Sequence, residues 1–308
     1  MNRSGRQCVA MLLAACCAFA TAVTVAATPA GPDAIEVADD NGAVLVLQRP
    51  AQRVVSLAPS ITELLFAIGA GQTLVGTSAF SDYPPKARQI PVVAGADGVD
   101  LERIAALHPD LVILWGSGYP PATREALDRL GLRVYVSEPG SLESIARSME
   151  RLGRLTAAPQ GAQEAQAFRA RLQQLKSRYA GRRPVRVFYQ VWPGPLMTLS
   201  GRHVVSEALQ LCGGRNIFAA LPLLVPSVSP EAVIAADPQV IMTSEPGGVD
   251  RGALGFWKRY PFVAAVAAGR LYTLDANRID RATPRMLEET ARMCELIDTA
   301  RAATTTAP

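Results

Sequence analysis

An α/β architecture of two similar lobes of parallel sheet, joined by one long rigid helix, is what this sequence predicts. Three observations carry it: a phrase written twice, strands that alternate with helices, and one long polar helix-forming stretch between the two halves. The phrase is Asp100-Leu101-Glu102-Arg103-Ile104 through His108-Pro109-Asp110-Leu111-Val112, and again Ser229-Pro230-Glu231-Ala232-Val233 through Asp237-Pro238-Gln239-Val240-Ile241. In each copy a capping residue sits two before a Glu, a Pro follows that Glu by seven, and an apolar β-prone run comes next. Each copy therefore reads as a short helix stopped by Pro and feeding a buried strand. The copies lie 129 positions apart, so each half of the chain presents one carboxylate at a helix start.

The elements follow in order. Residues 1–27 read as a secretory signal: Arg3 and Arg6, an apolar run, and the exit Val25-Ala26-Ala27. Lipidation at Cys16, after Leu13-Ala14-Ala15, and a membrane span are the alternatives. Residues 28–52 form a peripheral β-hairpin turning at Asp39-Asp40-Asn41-Gly42. A first α/β lobe occupies 53–155. Its opening helix is marked by Ser60-Ile61-Thr62-Glu63, a capping-box pattern in which Glu63 is more simply a cap than a functional acid. A linking helix covers 156–182, where 162–180 is polar, proline-free and carries Phe168, Leu172 and Leu175 on one side. The second lobe covers 183–300, and 301–308 is a disordered tail.

Removing Arg3 and Arg6 with the signal leaves 29 basic against 27 acidic residues, too even for a nucleic-acid partner. Cys8, Cys16 and Cys17 fall in the signal. Cys212 and Cys294 remain and pair in an oxidising compartment, two buried free thiols being the alternative. The two histidines, His108 and His203, lie in different halves, which disfavours a transition-metal site. Gly69-Ala70-Gly71 does not make a dinucleotide loop, and Gly116-Ser117-Gly118 lacks the spacing of a nucleophile elbow. No catalytic constellation or cofactor site is present in the pattern, so an enzyme is not expected.

What remains is a set of strand-end loops bearing Phe80, Tyr83, Trp115, Tyr119, Trp192 and Met197, with Asn277, Asp280, Arg281 and Arg285 in the last loop. Broad aromatic side chains suit a flat ligand, and a few polar groups would fix its orientation. Core packing is the alternative for several of these aromatics.

Several segments resemble one known family. They are Val54-Val55-Ser56-Leu57-Ala58-Pro59-Ser60-Ile61-Thr62-Glu63, Ser81-Asp82-Tyr83-Pro84-Pro85, the two repeats, Cys212-Gly213-Gly214-Arg215-Asn216-Ile217-Phe218 and Arg281-Ala282-Thr283-Pro284-Arg285. The chain is similar over 53–297 to the vitamin B12-binding periplasmic proteins, and more broadly to the iron-siderophore and haem receptors of the same helical-backbone class. The resemblance implies a class III periplasmic binding protein that captures a corrinoid between two lobes. It would act as a monomer and deliver its solute to an ABC permease dimer with its ATPase. It implies that Glu102 and Glu231 dock on permease arginines, that Cys212 and Cys294 form the family disulfide, and that Trp115 and Arg281 contact ligand. Phe80 stands where the family has Tyr and Asn277 where it has Asp; Ala96, and a position near Val225, lack a family Trp. Phe80, Trp115, Trp192, Met197, Asn277 and Arg281 are the expected ligand contacts. A ferric siderophore or haem is the alternative cargo, and a periplasmic enzyme or a sensory module the alternative class.

Overall fold

The computed structural model describes residues 34–302; the signal expected at 1–27 and residues 303–308 lie outside them. Strands β1 (Ile35–Ala38) and β2 (Val44–Leu47) pair antiparallel as the expected hairpin. The hairpin is not peripheral, however. Val37 and Leu47 are buried in the main core, and Asp39, almost fully buried, accepts from the Val136 amide and pairs with Arg124. A polar Asp-Asp turn hid an apolar inner face of only a few residues, too short to register as a pattern.

The first lobe is a six-stranded sheet. In chain order its elements are β3 (Val54–Ser56), α1 (Pro59–Ala67), β4 (Leu74–Ser78), β5 (Val92–Gly95), β6 (Gly98–Val99) and α2 (Leu101–Ala106). Then come β7 (Leu111–Trp115), α3 (Pro121–Arg129), β8 (Val134–Ser137) and α4 (Leu142–Thr156). The strand order is β6-β5-β4-β3-β7-β8, parallel except for the short β6. Sequence reasoning missed β5 and β6, short strands at one side of the sheet with little hydrophobic signature. The chain winds outward from β3 in both directions, so β3 and β7 flank a topological switch point, where open α/β sheets bind ligands beyond the carboxyl ends of their strands.

The long connecting helix α5 (Gln160–Tyr179) does not stand alone. It packs back on α4, with Gly153 and Gly161 in such close backbone approach that a Cβ on Gly161 would lie 2.6 Å from the Met149 carbonyl oxygen. Arg169 on α5 pairs with Glu143 and Glu150 on α4. One continuous apolar core runs from Leu64, Ile145 and Leu152 through Phe168 and Leu172 to Val187, Leu209 and Ile297. The hinge is therefore buttressed along its length.

The second lobe contains β9 (Val185–Gln190), the small hairpin β10 (Trp192–Pro193) and β11 (Leu196–Met197), α6 (Val204–Leu211) and β12 (Gly214–Asn216). It continues with α7 (Pro230–Ala236), β13 (Val240–Glu245), α8 (Ala264–Ala267), β14 (Leu271–Asp275), α9 (Ala276–Ile279) and α10 (Met286–Ala302). Its four parallel strands run β12-β9-β13-β14. Cys212 and Cys294 form a disulfide that ties α6 to α10 across 82 residues, and the chain-entropy model gives such a closure about 4.5 kcal/mol. Residues 301 and 302, expected in a tail, belong instead to α10. Arg301 is buried in α10 and donates to the Cys212 and Arg183 carbonyls at 2.6 and 2.7 Å.

A two-lobed cleft built from strand ends

The two repeats are the same structure. Asp100 caps α2 by accepting from the Arg103 amide, and Ser229 caps α7 by accepting from the Ala232 amide, so Glu102 and Glu231 both stand exposed in a first helical turn. The Glu231 carboxylate is held below its usual range by its own backbone amide and the Ser229 hydroxyl. Both helices end on a left-handed residue just before the Pro: His108 at φ 44° and Asp237 at φ 42°. The likeness reaches further than the sequence phrase. Asp110 accepts from the Arg53 amide at 3.0 Å, and Gln239, its counterpart, accepts from the Arg186 amide at 3.0 Å. The Arg53 guanidinium then donates to the Leu107 carbonyl at the end of α2, and that of Arg186 to the Asp237 carbonyl at the end of α7.

At the other end of the strands the lobes face each other. A cavity of about 260 Å³ opens between them. Its first-lobe wall is Ala58 to Ile61 after β3, Trp115 at the end of β7, and Ser137 to Pro139 at the end of β8; its second-lobe wall is His203, Val204 and Ile279 to Ala282. The lining is mostly apolar, with the indole of Trp115 as its broad surface. Burial pushes the His203 imidazole below its ordinary range, and its Nδ1 accepts from the Val205 amide, so neutral His203 carries its proton on Nε2. Burial also raises Asp280 to about 6, although Ser244 and Tyr189 donate to it, Ser244 at 2.8 Å.

Beside this cavity the lobes are bolted together. Glu63 is almost fully buried and accepts from Thr283 at 2.5 Å and from Arg285 at 2.7 Å and 2.5 Å. The Arg285 guanidinium lies over the Tyr83 ring, 3.6 Å from its centroid. Arg281 donates to Asp82 at 2.9 Å, to the Phe80 carbonyl and to Asn277. This corrects the expectation for Glu63. The cap of α1 is Ala58, with no side-chain hydrogen bond, because Pro59 and the strand end already set the helix entry; the Ser-x-x-Glu spacing is incidental. Nothing local in the sequence points to Glu63 as an interlobe anchor, since its partners lie 220 residues away.

Of the expected ligand contacts, the structure gathers Trp115 and Arg281 on the cavity and brings Phe80 and Asn277 to Arg281. Trp192 and Met197 sit apart, paired with each other across β10 and β11 on the second lobe, where Trp192 is more than half exposed. Tyr119 packs on the outer core of the first lobe. Ser60, Glu138, His203 and Asp280 complete the cavity lining; of these, the sequence singled out only Asp280 as a polar group near the aromatics.

Two parallel-sheet lobes on a buttressed helical hinge, with an apolar cleft at facing strand ends, define a two-lobed solute-binding protein. The chain belongs to the periplasmic binding protein family, whose model matches residues 54–278. It is 40% identical over 246 residues to the vitamin B12-binding protein of Vibrio cholerae serotype O1, covering 80% of this chain and 88% of that one. To the vitamin B12-binding protein of Photorhabdus laumondii it is 39% identical over 249 residues, 80% of this chain and 88% of that one. The crystal structure of the periplasmic vitamin B12 binding protein of Vibrio cholerae superposes with a TM-score of 0.75 at 39% identity, over 82% of this chain and 98% of that one. A periplasmic haem-binding protein from Pseudomonas aeruginosa shares the fold at a TM-score of 0.71 and 24% identity, over 80% of this chain and 92% of that one. The family is one of binding proteins and not of enzymes.

Proposed function

We propose that this chain is an extracytoplasmic binding protein that captures a corrinoid in the interlobe cleft and presents it to an ABC importer. The observation that carries the choice of cargo is the charge of the cavity. Among the described residues that line it, the one guanidinium, Arg281, is engaged by Asp82, while Glu138 and Asp280 are carboxyl groups and His203 is neutral. An anionic ferric siderophore or the propionates of haem would need an unpaired cation there, since burying an uncompensated charge is costly. A corrinoid, whose periphery is largely carboxamide, needs an apolar platform and neutral donors such as His203 Nε2. The names of the two vitamin B12-binding relatives support the same cargo.

Trp115 supplies the platform, with Arg281 on the same cavity and Phe80 and Asn277 bonded to Arg281, while Trp192 and Met197 stand apart on the second lobe. Glu102 and Glu231, exposed on matching helices, would engage arginines on two permease subunits; paired charges set register and encounter at such interfaces. The twin geometry of their helices supports a partner with two-fold symmetry. Export would use the signal at 1–27, with the mature chain acting as a monomer in the periplasm.

Titrating the mature protein with cobalamin, cobinamide, haem and a ferric siderophore, following tryptophan fluorescence, tests the cargo. Corrinoid binding below about 10 μM, near −7 kcal/mol, is the expected result. Binding of haem or siderophore alone would replace the corrinoid reading, and transport unaffected by the loss of Glu102 and Glu231 would remove the docking one.

A further inference from the structure

The cleft tryptophan is held in place by a carboxylate that none of its sequence neighbours would suggest. Glu138 follows β8 immediately, as Trp115 ends β7, and these strands are neighbours in the sheet. One Glu138 oxygen accepts from Trp115 Nε1 at 3.3 Å and from the Ser117 hydroxyl at 3.1 Å; the other accepts from the Ser117 amide at 2.6 Å. The loop fits closely around these groups. A Cβ on Gly116 would lie 3.0 Å from the Glu138 carboxylate, and one on Gly118 would lie 2.1 Å from the indole ring. The indole is thus flanked by a glycine backbone and tethered by its single N–H, although 44% of Trp115 remains exposed toward the cleft.

Behind Glu138 stands the N-terminal hairpin. The Glu138 amide donates to Asp40 at 2.7 Å, and the other Asp40 oxygen accepts from Arg151 on α4 at 2.6 Å. Asp39 closes the same turn through the Asn41 and Ala43 amides and receives Val136 and Arg124. Arg151, Asp40, Glu138 and Trp115 therefore form a chain of charge-assisted contacts from the back of the lobe to the cleft wall.

We propose that Glu138 is a positioning residue that fixes the Trp115 indole as the ligand platform, and that the hairpin turn at Asp40 holds Glu138 for this task. The proposal rests on the reading of the cleft as the solute site. A rotationally fixed indole meets a flat ligand without first losing its own rotamer freedom, so its affinity contribution depends on the tether.

The test uses the full mature chain labelled with 5-fluorotryptophan, which gives one ¹⁹F resonance for each of the three tryptophans, Trp115 being assigned by Trp115→Phe. In ligand-free protein, Glu138→Ala should shift and broaden the Trp115 resonance and leave those of Trp192 and Trp257 in place. Asp40→Asn should do the same more weakly, and Glu138→Gln, which keeps an acceptor, should restore part of the wild-type signal. Cyanocobalamin affinity should fall about tenfold in Glu138→Ala and less in Glu138→Gln. A Trp115 resonance unchanged in Glu138→Ala overturns the proposal, as does a disturbed resonance with wild-type corrinoid affinity. If wild type itself binds no corrinoid while the ligand-free resonance responds as expected, the tether stands and the cargo assignment falls.

Discussion

The two lobes are alike at one end of their sheets and unlike at the other. Away from the cleft, Asp100 and Ser229, His108 and Asp237, Asp110 and Gln239, and Arg53 and Arg186 occupy matching places and make matching bonds. At the cleft, the first lobe offers a tethered indole and a buried carboxylate, and the second offers a short helix, a neutral imidazole and the arginines that reach across. A backbone arrangement can be duplicated by capping residues and prolines alone. At the cleft the two walls carry different side chains, so the likeness stops there.

The sharpest way to break this comparison is to reverse both exposed acids. Glu102→Arg with Glu231→Arg should abolish solute uptake in cells while leaving affinity and melting temperature close to wild type, because neither side chain is buried. Equal loss from either single reversal would support matched roles; loss from one alone would make the likeness merely architectural. Next in size is the interlobe anchor. Glu63→Ala leaves Arg285 without its carboxylate partner and should cost about 3 to 5 kcal/mol, read by urea denaturation. A cost under about 1 kcal/mol would show that the lobes do not depend on that bond.

Asp280 provides a pH test. Its folded-state value, raised to about 6 chiefly by burial, lies above the usual 3.8, so the folded protein binds this proton more tightly than the unfolded chain. Its contribution is fully present below about 4 and is lost as pH rises through about 6, an effect of about 1 to 2 kcal/mol because the exposed side chain is screened by solvent. Asp280→Asn should remove that part of the pH dependence, and a stability profile unchanged between pH 4 and 7 would contradict it. The smallest effect concerns the repeat itself. Arg53→Ala and Arg186→Ala should each cost roughly 1 kcal/mol, since each removes a charged donor from helix-end carbonyls at a partly solvated site. A severalfold difference between them would end the equivalence.

Much of the scaffold was legible because it depends on local chemistry. Capping residues, the paired prolines and the proline-free stretch around Phe168 and Leu172 each act within a few positions, so their meaning survives in sequence. Short strands such as β5 and β12 carry too few residues for a pattern. The cleft was legible only in part. Trp115 and Arg281 announced themselves by type and place, whereas Glu63 imitated a helix cap and Glu138 looked like an ordinary residue before Pro139. Both act through partners brought near by the sheet and the interlobe contact, and local spacing carries no trace of that.

Isothermal titration of cyanocobalamin into the mature protein and its Trp115→Ala variant tests the central claim, that an indole-walled cleft between the lobes captures a corrinoid. One equivalent bound with a dissociation constant below about 10 μM in wild type, weakened at least tenfold in Trp115→Ala, is the expected result. No binding by wild type, or equal affinity in the two proteins, would contradict it.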